Sequence, residues 1–263
     1  ADELFGSIER PNYLKQEMDW YKRDQANGVV WNEVPVAIQP TQSFVGLFGE
    51  GRGLAVIPEG VREYEIVDKS GSEEGKGNII RLTLFRTYGY MGKEDLLYRP
   101  GHASGEETIA TPAAQLQGPL DFSLGLVALQ SDYDESGMAE IAKSYNTPLQ
   151  AYEYASFLNG RLMFSEPEIV GSKQRECSLM RLEGGLSLSA IKKAEHAKGL
   201  VIRLYNAKRN TAQGAHLRLG KAPAKAAYLN LLEEEQEDAA IEGNEVIVDP
   251  IAPSKFVTLY VEY

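Results

Sequence analysis

Cysteine is almost missing from these 263 residues, with Cys177 standing alone in "RECSLM". A single thiol closes no internal disulfide and excludes a metal site built on several thiolates, so Cys177 reads as a small packing side chain in a reducing, cytoplasmic setting. Histidine is scarce as well. His102, His196 and His216 stand at no metal-ligand spacing, and no metal site is expected in this chain. Long apolar runs are absent, and the opening "ADELFGSIER" has neither a basic nor an apolar leader region, so neither a spanning helix nor a secretory signal is read. Positive charge is in the minority: 27 basic residues face 38 acidic ones for a net charge of −11, which argues against nucleic acid as a partner.

What is present is β structure. From Ser43 onward, "SFVGLF", "GLAVIP", "VREYEIV" and "NIIRLTLF" are short β-prone runs separated by "GEGRG", "PEG" and "KSGSEEGKG". Such spacing indicates an all-β sandwich or barrel. In the last run Ile80, Leu82 and Leu84 share one face. "GEGRG" resembles a phosphate-cradling loop but precedes a strand, not a helix. One short helix is expected near 138–145, where Met138, Ile141, Ala142 and Tyr145 recur at helical spacing and Asn146 and Pro148 end the run. Six further strands follow in "GLSLSAIKKA", "GLVIRLYNA", "AHLRLG", "AAYLNLL", "NEVIVDPI" and "KFVTLYVEY", the pattern of a small immunoglobulin-like sandwich. A boundary is expected between residues 160 and 178, dividing the chain into 1–168 and 169–263. The acidic run "LLEEEQEDAA" lacks calcium-loop spacing and reads as a solvated face or turn.

Chemistry-bearing patterns are few. Serine-hydrolase signatures are absent, and the adjacent carboxylates Glu94 with Asp95, Glu106 with Glu107, and Asp132 with Asp134 carry no spacing that marks a catalytic pair. No catalytic residue is assigned. The candidate binding site is the loop "RTYGYMGKEDLLYRPGHASGEE", residues 86–107. Tyr88, Tyr90 and Tyr98 can stack on the apolar face of a sugar ring, while Lys93, Asp95 and Arg99 can reach hydroxyls or a carboxylate. Pro100 stiffens the backbone beside Arg99. A domain or subunit interface would use the same residue types, and both readings stay open on residue content.

Longer strings carry a resemblance. "FGSIERP", "WNEVPVAIQPTQSFVGLFGEGRGLAVIPEGVREYEI", "LTLFRTYGYMGKEDLLYRPGHASGEE" and "TPAAQLQG", followed by "GLVIRLYNAKRNTAQGAHLRL" and "FVTLYVEY", resemble in order the C-terminal β region of glycoside hydrolase family 38 α-mannosidases. The resemblance implies a large galactose-mutarotase-like β-sandwich over 1–168 and a smaller sandwich over 169–263. It further implies a zinc-dependent retaining hydrolase of α-mannosides such as mannosylglycerate, whose zinc, nucleophile and catalytic domain lie outside this chain. On that reading the fragment alone is inactive and holds no cofactor. Its partners are an α-mannoside and its own N-terminal catalytic domain, with neither nucleic acid nor membrane involved and homo-oligomerisation left open. The loop then forms one wall of the substrate cleft, with Arg99 in "LLYRPG" and His102 among its contacts; His102 stands where the family pattern favours arginine. A stand-alone carbohydrate-binding module is the alternative.

Overall fold

The protein is described by a computed structural model covering residues 1–10, 13–14, 24, 26–28, 36–68, 77–92, 109–151 and 178–263. The chain forms two compact units, Ala1–Asn146 and Thr147–Tyr263. The boundary expected from the sequence falls on residues outside the described ones.

After short two-residue strands near its start, unit 1 forms a hairpin of β1 (Val45–Gly49) and β2 (Arg52–Pro58). Glu50 and Gly51 link them at φ of 54° and 72°, the two positive values that a two-residue hairpin turn requires. "GEGRG" is therefore a strand reversal. Strands β3 (Glu63–Asp68) and β4 (Asn78–Leu82) belong to a second sheet, and β5 (Leu124–Leu129) pairs antiparallel with β2 to give the order β5-β2-β1. Helix α1 (Met138–Asn146) starts with the Met138 N–H donating to Ser136 Oγ, and the Asn146 side chain donates to the Ala142 carbonyl at its end.

The β5-β2-β1 sheet has two unlike faces. On one, Phe44, Ala55 and Ile57 pack with Tyr133, Met138 and Ala142, and Phe48 meets the Tyr133 ring edge-on at 5.5 Å. The close passage of the Phe48 ring requires glycine beneath it: a Cβ at Gly46 or Gly53 would lie 2.5 or 2.6 Å from ring carbons. On the other face, Val45 and Val56 pack against Tyr64, with Ile66, Ile80 and Leu82 closing the cluster from β3 and β4. Strand β4 ends at Leu82, so Leu84, read as a member of the same inward face, lies beyond it and is 41% exposed. The outward Glu65 and Glu63 of β3 pair with Arg81 and Arg86. The N-terminal segment is held by a buried carboxylate: Asp2 accepts from the backbone N–H groups of Gln42, Ser43 and Phe44 and from the Thr41 and Ser43 hydroxyls.

Unit 2 is a sandwich of two sheets. One sheet contains β6 (Met180–Gly184), β9 (Gln213–Leu219), β12 (Ala240–Glu242) and β13 (Glu245–Ile251) in the order β6-β9-β13-β12. The other contains β7 (Ser187–Lys193), β8 (Leu200–Tyr205), β10 (Lys225–Leu229), β11 (Glu235–Asp238) and β14 (Phe256–Glu262) in the order β7-β8-β14-β10-β11. Their facing side chains make one core: Ile202, Leu204, Leu259 and Val261 from the second sheet meet Leu217, Val246 and Val248 from the first, all at 2% exposure or less. Each such side chain stabilises the unit by roughly 1.5–3 kcal/mol. Alternation in "GLVIRLY" and "FVTLYVEY" was the signal for this face, and it holds. In β14 the opposite face is buried too, with Thr258 at 2% and Tyr260 at 4%, because β14 lies between β8 and β10.

Three strands of unit 2 lie outside the six expected from the sequence: β6, β11 and β12. The acidic run is the instructive one. Glu235–Asp238 is an edge strand with every residue exposed, paired with β10 alone among the described strands. An edge strand with both faces in water needs no apolar alternation, so charge density conceals it while protecting the sheet from further pairing.

Candidate functional site

The candidate loop grows from a short β ladder. Tyr90–Met91 pairs antiparallel with Ile109–Ala110, and Thr111 ties the base, donating its N–H to the Gly89 carbonyl at 2.9 Å and its hydroxyl to the Tyr88 carbonyl at 3.1 Å. A 3₁₀ turn at Pro112–Gln115 follows. The ladder fixes the backbone beneath Tyr88 and Tyr90 while leaving their rings 56% and 54% exposed. Two aromatic faces thus stand in water on an ordered base, an arrangement able to stack on a ring without losing much side-chain freedom. The other five site residues read from the sequence, Lys93, Asp95, Tyr98, Arg99 and His102, lie outside the described residues.

Charge near the base is already committed. Arg86 donates from Nε and Nη2 to Glu63 Oε1 at 3.2 and 2.5 Å. Burial pushes the Glu63 carboxyl upward, but hydrogen bonds from Thr83 and Arg86 outweigh it and hold the group below the usual carboxylate range. Glu63 is thus an ionised partner for Arg86, not a proton donor. Of the carboxylate pairs noted in the sequence, only Asp132 with Asp134 is described, and Asp132 accepts the Gly51 N–H at 3.3 Å in a structural contact.

An apolar surface that single-sequence reading passed over lies in the same unit. Phe85 and Phe122 stack at 6.3 Å with planes 15° apart, both rings partly in solvent. Phe85 was visible at the end of "NIIRLTLF", but nothing local indicates that Phe122, almost forty residues later, is its partner.

Metal binding finds no support among the described residues, where no group of three His, Cys, Asp or Glu side chains could hold an ion. His216 Nδ1 lies 3.3 Å from Glu245, which also binds Arg218, a surface ion-pair cluster. Among the described residues no helix is long and apolar enough to cross a membrane. A concavity of about 700 Å³ opens between the sheets of unit 2 near Tyr228, Ile251 and Val257, rimmed by Leu231 and Leu232.

Comparison with known proteins places this geometry. Residues 185–259 match the glycosyl hydrolases family 38 C-terminal beta sandwich domain. A putative mannosylglycerate hydrolase of Halalkalibacterium halodurans is 24% identical over 263 residues, which is all of this chain and 24% of that protein. Among solved structures, an α-mannosidase from Enterococcus faecalis V583 aligns over 88% of this chain and 22% of its own at 23% identity and a TM-score of 0.62. A glycosyl hydrolase family 38 protein from Enterococcus faecalis aligns over 88% of this chain and 23% of its own at 21% identity and a TM-score of 0.56. The chain therefore spans about a quarter of the length of the relatives it matches. The family 38 resemblance read from the sequence holds: residues 185–259 match that family's C-terminal β-sandwich model, and the relatives matched over the rest of the chain carry family 38 or mannosidase names.

Proposed function

We propose that this chain is the C-terminal β portion of a cytoplasmic, zinc-dependent retaining α-mannosidase acting on α-mannosides such as mannosylglycerate, with the loop at 86–107 forming one wall of the substrate cleft. The match of residues 185–259 to the family 38 β-sandwich is the observation that carries this reading. The name of the H. halodurans relative supplies the substrate class. Zinc and the nucleophile belong to the part of the enzyme outside this chain, and no step of bond cleavage is assigned to these residues. What the chain supplies is a fixed aromatic surface: Tyr88 and Tyr90, held on their ladder, present ring faces that a hexose can stack against.

The test compares the intact gene product with the 263-residue chain, using an aryl α-mannoside and mannosylglycerate. Hydrolysis with retained anomeric configuration by the intact protein and none by the chain alone is the expected result. Activity in the isolated chain, or none in the intact protein with either substrate, overturns the proposal.

A further inference from the structure

The β5-β2-β1 sheet is covered unevenly on the face that meets the second sheet. Cross-strand pairing puts Val45, Val56 and Leu126 in one row of that face, and Leu47, Leu54 and Ala128 in the next. Along the first row exposure climbs from 1% at Val45 through 8% at Val56 to 75% at Leu126. Among the described residues the second sheet covers β1 and stops short of β5. Leu124 at 43% and Leu54 at 50% extend the bare area, and the Phe85–Phe122 stack bounds it where the chain enters β5. On the opposite face of the same strands, Val127 and Leu129 pack onto the helix-side core, so β5 is firmly part of the fold.

The strip also lacks the usual protection of an edge. From Phe122 to Gln130 there is no charged residue and no proline, and β5 pairs only with β2 among the described strands. An uncharged apolar edge strand left in water is an aggregation hazard, whereas a face this apolar is ordinary where another part of a protein covers it.

We propose that the Leu54–Leu124–Leu126 face is a docking surface for polypeptide that precedes Ala1 in the longer protein. This rests on the reading of the chain as the C-terminal part of a larger enzyme: it covers 24% of one relative and 22% of another, and residues 185–259 match a C-terminal domain, which puts the remaining length on the Ala1 side. A covalently linked segment meets this face at an effective concentration on the order of millimolar, which favours it over a second copy. The occupant is an apolar segment, because the strip offers no side-chain charge for a polar partner to meet.

A photo-crosslinking phenylalanine derivative at position 126 of the intact protein, followed by peptide mass analysis, tests this while keeping the surface apolar. Crosslinks to residues upstream of Ala1 support the proposal. Crosslinks to a second copy, crosslinks confined to residues 1–263, or an absence of crosslinks overturn it, as does a reading frame with nothing upstream. A second arm uses Leu126→Asp: limited proteolysis of the intact protein should quicken about tenfold, while the denaturation midpoint of the isolated chain stays unchanged; equal effects in both overturn the proposal. The two proposals fail separately. An intact protein without mannosidase activity but with upstream crosslinks removes the function and keeps the surface, and the reverse result does the opposite.

Discussion

The two units treat the edges of their sheets in opposite ways. In unit 2 the edge strand Glu235–Asp238 is acidic, exposed on every residue, and lies beside a core whose members are sealed between two sheets. In unit 1 the edge strand Leu124–Leu129 is apolar and bare on one face, with Leu126 75% exposed. A charged edge repels further pairing and marks a finished surface; an apolar edge with no charge marks a surface that another element completes. Among the described residues, then, unit 2 closes this edge with charge, whereas unit 1 leaves one apolar face in water.

Substitutions can break or sharpen this contrast. The largest effect is expected in the sealed core. Leu217→Ala should cost about 2–5 kcal/mol in urea denaturation, because Leu217 is fully buried between the sheets. Leu126→Ala in the same chain should stay within about 0.5 kcal/mol; a cost matching that at Leu217 would abolish the distinction between the units.

Next comes a buried polar side chain at one end of unit 2. Asn206, at 0% exposure, donates from Nδ2 to the Thr211 and Ile251 carbonyls and accepts the Lys208 N–H. Asn206→Ala leaves those groups without their partner and should destabilise the unit by about 1–3 kcal/mol, read in the same denaturation experiment.

At the loop base, Tyr90→Ala in the intact enzyme is expected to raise KM severalfold to about tenfold with little change in kcat and no change in melting temperature. An unchanged KM would remove the ring from the substrate wall.

The smallest effect is electrostatic. The Arg218 guanidinium holds the Glu245 carboxyl below its ordinary range against a desolvation penalty, with His216 adding to the pull. A carboxylate whose folded pKa is depressed contributes stability above its unfolded pKa, about 4.3, and loses that contribution as pH falls through the folded value. Glu245→Gln should flatten the acid limb of stability below about pH 4.3 and change little at pH 7; an unaltered acid limb would show that the pair is inert.

How much of this was legible in sequence follows from which side chains had a local signature. Leu200, Ile202 and Leu204 alternate with Val201, Arg203 and Tyr205, and Met138 and Ala142 recur at helical spacing, so their elements and one buried face of each could be read directly. Strand β11 could not, because an edge strand of glutamates buries nothing and carries no period. The ladder beneath Tyr88 and Tyr90 was equally hidden: its two sides lie about twenty residues apart, and each is only two residues long. Ring-rich loop residues were visible as chemistry, whereas the order of their base was not.

By itself the sequence determined the all-β class, the short helix at Met138–Asn146, the strands with alternating faces and the family 38 resemblance, because these depend on local period or on long ordered strings. Tertiary structure alone decided that Phe85 meets Phe122, that Asn206 is buried and satisfied, and that Leu126 is left in water while Val127 beside it packs inward. Alternation reports that a strand has two faces. Which face a second layer reaches depends on where that layer stops, and no residue of the strand encodes that.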